Sequence, residues 1–241
     1  MISLKKVLNK LLNICFYLCL LAVLWGVLQV FCFTSFRIPT DSMEPALLPG
    51  DNIVVNKLVG GARLFDVFAA LNKEEITIGR VPGFGKFKRN DVLVFNFPYP
   101  VRKDSISFDI MKYYVKRCIA LPGDTLEIRN GFFHINGVDG QLGNKEMQTF
   151  VSNLPDTASQ HVVMRSYPRD KEMGWTIKEF GPLLVPSEGQ QIEMNKRNWL
   201  LYRRLIHWEQ KKQPVLTTDN LVYFGDSLIC TCSFKQYDYF M

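Results

Sequence analysis

Hydrophobic and polar positions along this chain fall into three textures. The first is one unbroken block, ICFYLCLLAVLWGVLQVFCF from Ile14 to Phe33, without a charge. Roughly 20 residues rising about 1.5 Å each match a hydrocarbon core of about 30 Å, so the block predicts one membrane-crossing helix. Lys5, Lys6 and Lys10 precede it with no acidic residue among them. Cytoplasmic flanks favour Lys and Arg, which predicts that residues 1–13 are cytoplasmic and that everything after Ser35 lies outside. The competing reading is a cleaved signal peptide, whose apolar segment would run about 7–15 residues to a small-x-small site. Phe31 to Arg37 offers no such site, and an uncleaved anchor over residues 14–33 is expected.

The second texture is that of β-strands. Ile53-Val54-Val55 follows the turn Pro49-Gly50-Asp51; Val92 to Phe97 is closed by Pro98, and Tyr113 to Leu121 by Pro122-Gly123-Asp124. Such runs of β-formers bounded by turn residues predict strands. Leu126-Glu127-Ile128 and Phe132 to Ile135 flank Asn130-Gly131, the strongest short-range hairpin signal, and Asn136-Gly137 marks a further turn. Between Leu58 and Lys88 the pattern is irregular. Arg80, Lys86, Lys88 and Arg89 interleave there with Phe84 and Phe87, which suits a loop lying on lipid headgroups and equally an ordinary solvated loop.

The third texture, Val138 to Asn220, is polar and loop-rich, with a helix predicted over Lys196 to Gln210. Strand character resumes at Val222-Tyr223-Phe224 and Leu228 to Cys232. The expected fold is therefore mainly β: an antiparallel β core over 34–137 and 221–241, an α+β insertion over 138–220, and one N-terminal transmembrane helix.

Composition narrows the partners. The hydrophobic fraction is 47% and the net charge +6, a balance that can signal nucleic acid. Here the bases are scattered and the chain is expected to face away from the cytoplasm, so anionic headgroups are the expected counterpart and no nucleic acid is expected. Cys15, Cys19 and Cys32 belong to the anchor region, and Cys118, Cys230 and Cys232 show no disulfide framework. Cys230 and Cys232 would point the same way along one strand, a poor geometry for a bridge and too few ligands for zinc.

Ser42 opens Ser42-Met43-Glu44-Pro45 just beyond the anchor, where a hydroxyl nucleophile would work at a membrane surface. Serine needs a base. His134, His161 and His207 sit in a hairpin, a polar stretch and a helix, and no Gly-x-Ser-x-Gly elbow surrounds Ser42, so a Ser-His-Asp triad is not expected. Lysine can serve when its amine is neutral. At a reference pKa of about 10.4 only about one in two thousand is neutral at pH 7, and recovering about three units takes roughly 4 kcal/mol, which burial can supply. Lys116 has a setting that allows it, in Tyr113-Tyr114-Val115-Lys116-Arg117-Cys118. Alternation puts it on the face of Tyr114 and Cys118, opposite Val115, Arg117 and Ile119. One of the two adjacent cations must face inward; pattern alone leaves open which, and spacing does not bring Lys116 to Ser42.

Four blocks change this. Phe36-Arg37-Ile38-Pro39-Thr40-Asp41-Ser42-Met43-Glu44-Pro45-Ala46-Leu47, Pro49-Gly50-Asp51, Arg89-Asn90-Asp91-Val92-Leu93-Val94-Phe95, and Tyr114-Val115-Lys116-Arg117 through Leu121-Pro122-Gly123-Asp124 follow an N-terminal anchor in that order. In this the chain resembles bacterial type I signal peptidase, a family of membrane-bound Ser-Lys endopeptidases. The resemblance covers the anchor and about half of the rest; Val138 to Asn220 matches only loosely. It implies that Ser42 is the nucleophile and Lys116 the general base. It also implies that Thr40 and the Ser42 backbone N–H form the oxyanion hole, and that Phe36, Ile38, Met43, Leu47, Tyr114 and Val115 line apolar pockets for small side chains. Core packing alone is the competing role for those apolar residues. Preprotein signal peptides are the implied substrates, membrane lipid and the export translocon the implied partners, and no metal or organic cofactor is needed. A single-pass protein of the bacterial inner membrane is the implied location.

The family also carries a Gly-Asp-Asn-Arg block whose serine and charged residues brace the catalytic lysine. Phe224-Gly225-Asp226-Ser227 is not its equivalent, because Cys232 to Met241 resembles the strand that precedes the block. The chain is thus expected to stop before it, with a catalytically impaired form as the alternative to an active peptidase. A Ser-Lys self-cleaving repressor is disfavoured by the anchor and the lack of a helix-turn-helix signal.

Overall fold

The computed structural model describes residues 4–72, 78–96, 113–155, 164–236 and 238–241. Phe97 and Pro98, expected to end a strand, and His161 lie outside the described residues. The chain divides into two compact units, Met1–Phe87 and Lys88–Met241.

In the first unit, α1 (Leu4–Phe31) is apolar over most of its length and, among its described side chains, exposed except at the half-buried Gln29. Its segment Lys5–Phe31 is long and apolar enough to cross a membrane by length and composition. The helix starts ten residues earlier than the apolar block of the sequence, because Leu, Lys, Val and Asn at its start sustain helix without being apolar enough to extend the block. β1 (Phe33–Arg37) follows almost at once and pairs antiparallel with β2 (Asn52–Asn56), Phe36 opposite Ile53. β3 (Arg63–Leu64) pairs with β4 (Gly79–Arg80), and between them lies the one-turn α2 (Val67–Leu71), N-capped by the Asp66 carboxylate. Lys57 ties this unit to its helix: its Nζ donates to the carbonyls of Gln29 at 2.8 Å and Val30 at 3.2 Å, filling acceptors that every helix C-terminus leaves open.

The second unit runs β5 (Val92–Asn96), β6 (Tyr113–Arg117), β7 (Thr125–Arg129), β8 (Phe132–Ile135), α3 (Lys145–Asn153), β9 (Phe180–Leu184), β10 (Gln191–Glu193), α4 (Lys196–Gln210), β11 (Pro214–Leu216), β12 (Val222–Phe224), β13 (Ser227–Leu228) and β14 (Thr231–Ser233). All described pairings are antiparallel: β5 with β6, β8-β7-β9, β10 with β14, and β11-β12-β13. Asn130 and Gly131 both take positive φ, 47° and 83°, and join β7 to β8, the two-residue turn whose twist suits a hairpin. Phe224 pairs with Ser227, so Gly225-Asp226 is the tip of a structural hairpin.

Helix and strand each occupy 27% of the described residues. The expectation of a mainly β chain holds for its antiparallel strands and its N-terminal apolar helix, while helix has an equal share. α1 alone contributes 28 residues and α4 another 15. The stretch 138–220, expected as an insertion, is woven into the core on both sides. β9 adds to β7, β10 pairs with β14, and Trp175, Phe180, Ile192, Leu201 and Ile206 share one buried cluster with Leu126, Ile135, Val222 and Phe234. α4 buries Leu201, Tyr202 and Ile206, spaced to form one face. Asn195 caps its start and Lys211, in the left-handed region, its end. Cys232 is buried in this cluster, whereas Cys230 lies outside β14 and is exposed, so the two do not share a strand face.

Candidate active site

Ser42 and Lys116 lie in different units, so the site is described in two halves.

In the first, β1 ends at Arg37, and the chain is pinched at once: Ile38 N–H donates to Asp51 O, and Gly50 N–H donates to Ile38 O, both at 2.8 Å. Residues 39–49 are thereby held as a closed loop. Inside it Glu44 N–H reaches Asp41 O at 2.9 Å and Leu47 N–H reaches Met43 O at 3.1 Å, while the Asp51 carboxylate accepts from Leu48 N–H at 2.8 Å. This explains Pro49-Gly50-Asp51: Gly50 adopts φ 97° and Asp51 ties the loop shut. Ser42 stands exposed on the loop, and Thr40 Oγ1 lies 3.5 Å from Ser42 Oγ. The two hydroxyls assigned to one site are therefore neighbours. Phe36 and Ile38 face the same way along the strand, half-buried and buried, and Met43 is buried and Leu47 half-buried beside Ser42 in sequence.

In the second half, Leu93 stands opposite Lys116 and Phe95 opposite Tyr114. Strand alternation puts Lys116, Tyr114, Leu93 and Phe95 on one face and turns Val115 and Arg117 to the other. The Phe95 and Tyr114 rings lie tilted to each other with centroids 6.5 Å apart. Lys116 and Arg117 are both half-buried, and the Arg117 guanidinium donates to Asn90 O at 2.8 Å. Lys116 is half-buried, two residues before the fully buried Cys118. Burial, followed by the Asp91 and Asp124 carboxylates, pushes the Cys118 thiol up to about 11, which leaves it protonated and inert.

Two of the sequence blocks are braced by an ion pair that spacing did not reveal. The Arg89 guanidinium grips Asp124 with both arms, Nε to Oδ2 at 2.9 Å and Nη2 to Oδ1 at 2.5 Å, and the same carboxylate accepts from Leu121 N–H. Asn90 adds N–H to Cys118 O and takes Gly143 N–H on its side-chain oxygen. The residues around β5 and β6 thus hold the strand of Lys116 in place. Both ends of the ion pair were present in the quoted blocks; its signal was two opposite charges inside turns of one motif set. His134 and His207 are exposed.

Relatives decide the family. A profile described as "Signal peptidase, peptidase S26" matches residues 8–199. The chain belongs to this family. It is similar to Signal peptidase I of Pseudomonas aeruginosa, 36% identical over 183 residues, 72% of this chain and 57% of that one. It is also similar to Signal peptidase I P of Bacillus subtilis subsp. natto, 25% identical over 182 residues, 72% and 71% of the two chains. Signal peptidase I of Bacillus amyloliquefaciens is 26% identical over 208 residues, 85% and 84%. The matched segment is thus little more than half of the Pseudomonas relative. The family match takes in the Ser42 loop, β5, β6 and the Arg89–Asp124 pair, and it ends inside α4.

Proposed function

We propose that this chain is a membrane-bound serine endopeptidase that removes N-terminal signal peptides from exported preproteins through a Ser42–Lys116 dyad. Ser42 Oγ attacks the carbonyl before the scissile bond while the neutral Lys116 amine takes its proton; the amine then protonates the leaving α-amine. An acyl-enzyme on Ser42 remains, and water activated by the same amine releases it. Thr40 Oγ1–H and Ser42 N–H receive the oxyanion, donors aimed before charge develops. Phe36, Ile38, Met43, Leu47 and Tyr114 supply the apolar walls that admit only small side chains near the cut, while Val115, turned to the other face of β6, has packing as its role.

The observation that carries this reading is the Thr40–Ser42 hydroxyl pair on a loop closed by Ile38, Gly50 and Asp51. An exposed serine on a closed loop with a second hydroxyl 3.5 Å away suits a nucleophile with an oxyanion donor beside it, and it serves no core packing. α1 anchors the protein as a single-pass span of the bacterial inner membrane, N-terminus in the cytoplasm, the remainder outside beside lipid and the export translocon. The Lys5, Lys6 and Lys10 flank supports that direction.

The test is cleavage of a preprotein by the full-length chain in detergent or vesicles. Turnover by the unaltered chain that disappears in Ser42→Ala and in Lys116→Ala supports the reading. Equal inactivity of all three proteins sinks it.

A further inference from the structure

Asn90 occupies a position whose backbone suits glycine. Its φ is 71°, in the left-handed region that glycine adopts freely and other residues seldom do. Its N–H donates to Cys118 O at 2.7 Å, and its own carbonyl accepts from the Arg117 guanidinium at 2.8 Å. With Cys118 N–H on Asp91 O at 2.8 Å, these bonds carry the β5–β6 ladder one step beyond Arg117. None of them needs a side chain at residue 90.

The side chain makes a separate set of bonds. Oδ1 takes the Gly143 N–H at 2.7 Å, and Nδ2 donates to Gln141 O at 2.8 Å, 53 and 51 positions along the chain. One planar amide thus holds a donor and an acceptor of the same loop, which fixes its orientation. The loop is anchored on its far side as well. Gln148, buried on α3, donates from Nε2 to Leu142 O at 2.6 Å and to Asn144 O at 3.1 Å, and its Oε1 accepts from Phe133 N–H at 2.9 Å. A Cβ on Gly143 would lie 3.1 Å from the Phe133 ring. Residues 141–144 are therefore a bracket fixed between β8 and α3, and Asn90 fastens that bracket to the end of β6.

That end carries the proposed base. Lys116 lies two residues before Cys118, and a general base works only where its nitrogen is held toward the proton it takes. The Arg89–Asp124 pair joins the turns on either side of the β5–β6 hairpin. Asn90 ties the same hairpin to a different element. Glycine would meet the backbone demand at residue 90 without strain, so what asparagine adds is the clasp.

We propose that the Asn90 side chain is a positioning residue for the general base: by clasping the 141–143 bracket to the end of β6, it fixes the strand that aims Lys116. The proposal rests on Lys116 serving as base to Ser42.

The experiment compares the full-length chain with Asn90→Gly, which keeps the backbone and removes both side-chain bonds. Preprotein cleavage is followed from about pH 6 to 10, and so is competitive acetylation of Lys116 read by mass, which titrates the amine whether or not the protein cuts. A less firmly held amine is more open to water, which favours the ammonium. The acid limb of kcat and the Lys116 acetylation midpoint are therefore both expected to rise by about one unit, with kcat at neutral pH about tenfold lower, KM little changed and the rate recovering at alkaline pH. Lys88, Arg89 and Asp91 before β5, Arg117 on β6 and Asp124 beyond it are the charged groups of the described segments flanking Lys116, and all are unchanged in the variant. Ile206→Val, a core change elsewhere in the unit, should lower the denaturant midpoint and leave the acid limb in place. An unmoved acetylation midpoint in Asn90→Gly overturns the clasp, as does a rate lost equally at every pH. An equal shift of the limb in Ile206→Val also overturns it, because lost stability alone would then suffice. A moved Lys116 midpoint in a protein whose unaltered form cuts nothing supports the clasp and sinks the Ser42–Lys116 dyad instead.

Discussion

The two units of this chain are held together by different physics. In Lys88–Met241, β-strands from both ends of the unit and α4 close over one cluster in which Leu126, Ile206 and Val222 are fully buried and the Trp175 and Phe180 rings meet at a tilt of 52°, centroids 4.5 Å apart. In Met1–Phe87 the buried apolar residues among those described are Ile38, Met43, Ala62 and Ala70. Its order comes instead from two-stranded ladders, the Ile38–Gly50 pinch, the close approach at Gly61 and Gly83, and Lys57 on the end of α1. The proposed nucleophile therefore rides on a region defined by backbone hydrogen bonds, the proposed base on one defined by burial.

The sharpest way to break this contrast is through chemistry. Ser42→Ala and Lys116→Ala are each expected to lower the preprotein cleavage rate by about 10⁴-fold or more, while circular dichroism stays unchanged. Retention of activity in either variant would remove that residue from the dyad. Next come the cores. Leu126→Ala or Ile206→Ala in the second unit should cost about 2–5 kcal/mol in denaturant titration, whereas Val54→Ala, 72% exposed in the first unit, should stay within about 0.5 kcal/mol. Similar losses at both sites would contradict the difference drawn here.

Thr40→Val removes a hydroxyl and keeps the shape. It should lower kcat by about 10²-fold with little change in KM, and Thr40→Ser should restore it; a KM effect alone would make Thr40 a binding residue. Asp124→Asn breaks the grip of Arg89 and is expected to cost about 1.5–3 kcal/mol in the same denaturant titration. No change in midpoint would show the pair to be dispensable.

A last effect is read through pH. Asp238 has Oδ2 buried without a hydrogen-bond partner among the described residues, and burial, with the nearby Glu209 charge second, raises its carboxyl to about 7. The folded chain then holds a proton that the unfolded chain releases near pH 4. Stability is full below that value and falls as pH rises toward about 7. Asp238→Asn should flatten that fall; a fall of equal steepness in the variant would assign it to another group.

Much of this was legible in sequence. Lys196–Gln210 could be read as a helix because its apolar positions repeat at helical spacing between an Asn cap and a polar end. Asn130-Gly131 fixed its hairpin because a two-residue turn needs nothing distant. β9 and β10 were missed because their partners, β7 and β14, lie about 40 or more residues away and local pattern says little about such pairings. The paired arms within 58–87 were missed because two-residue strands carry no period, and close approach shows in sequence only as glycines. At the site, Ser42, Thr40 and Lys116 were named from motif, but the loop closure at Ile38–Asp51 and the Arg89–Asp124 grip depend on residues 13 and 35 positions apart.

The sequence by itself determined the apolar span, the alternating strands, the hairpin and the family, because each is written in neighbouring residues or in ordered blocks. Only the tertiary structure decided that 138–220 shares the core, that Cys118 is sealed, and that Gly225-Asp226 is a hairpin tip. Burial and long-range pairing are properties of where chain segments meet, and a linear pattern of polar and apolar residues restricts those meetings without choosing among them.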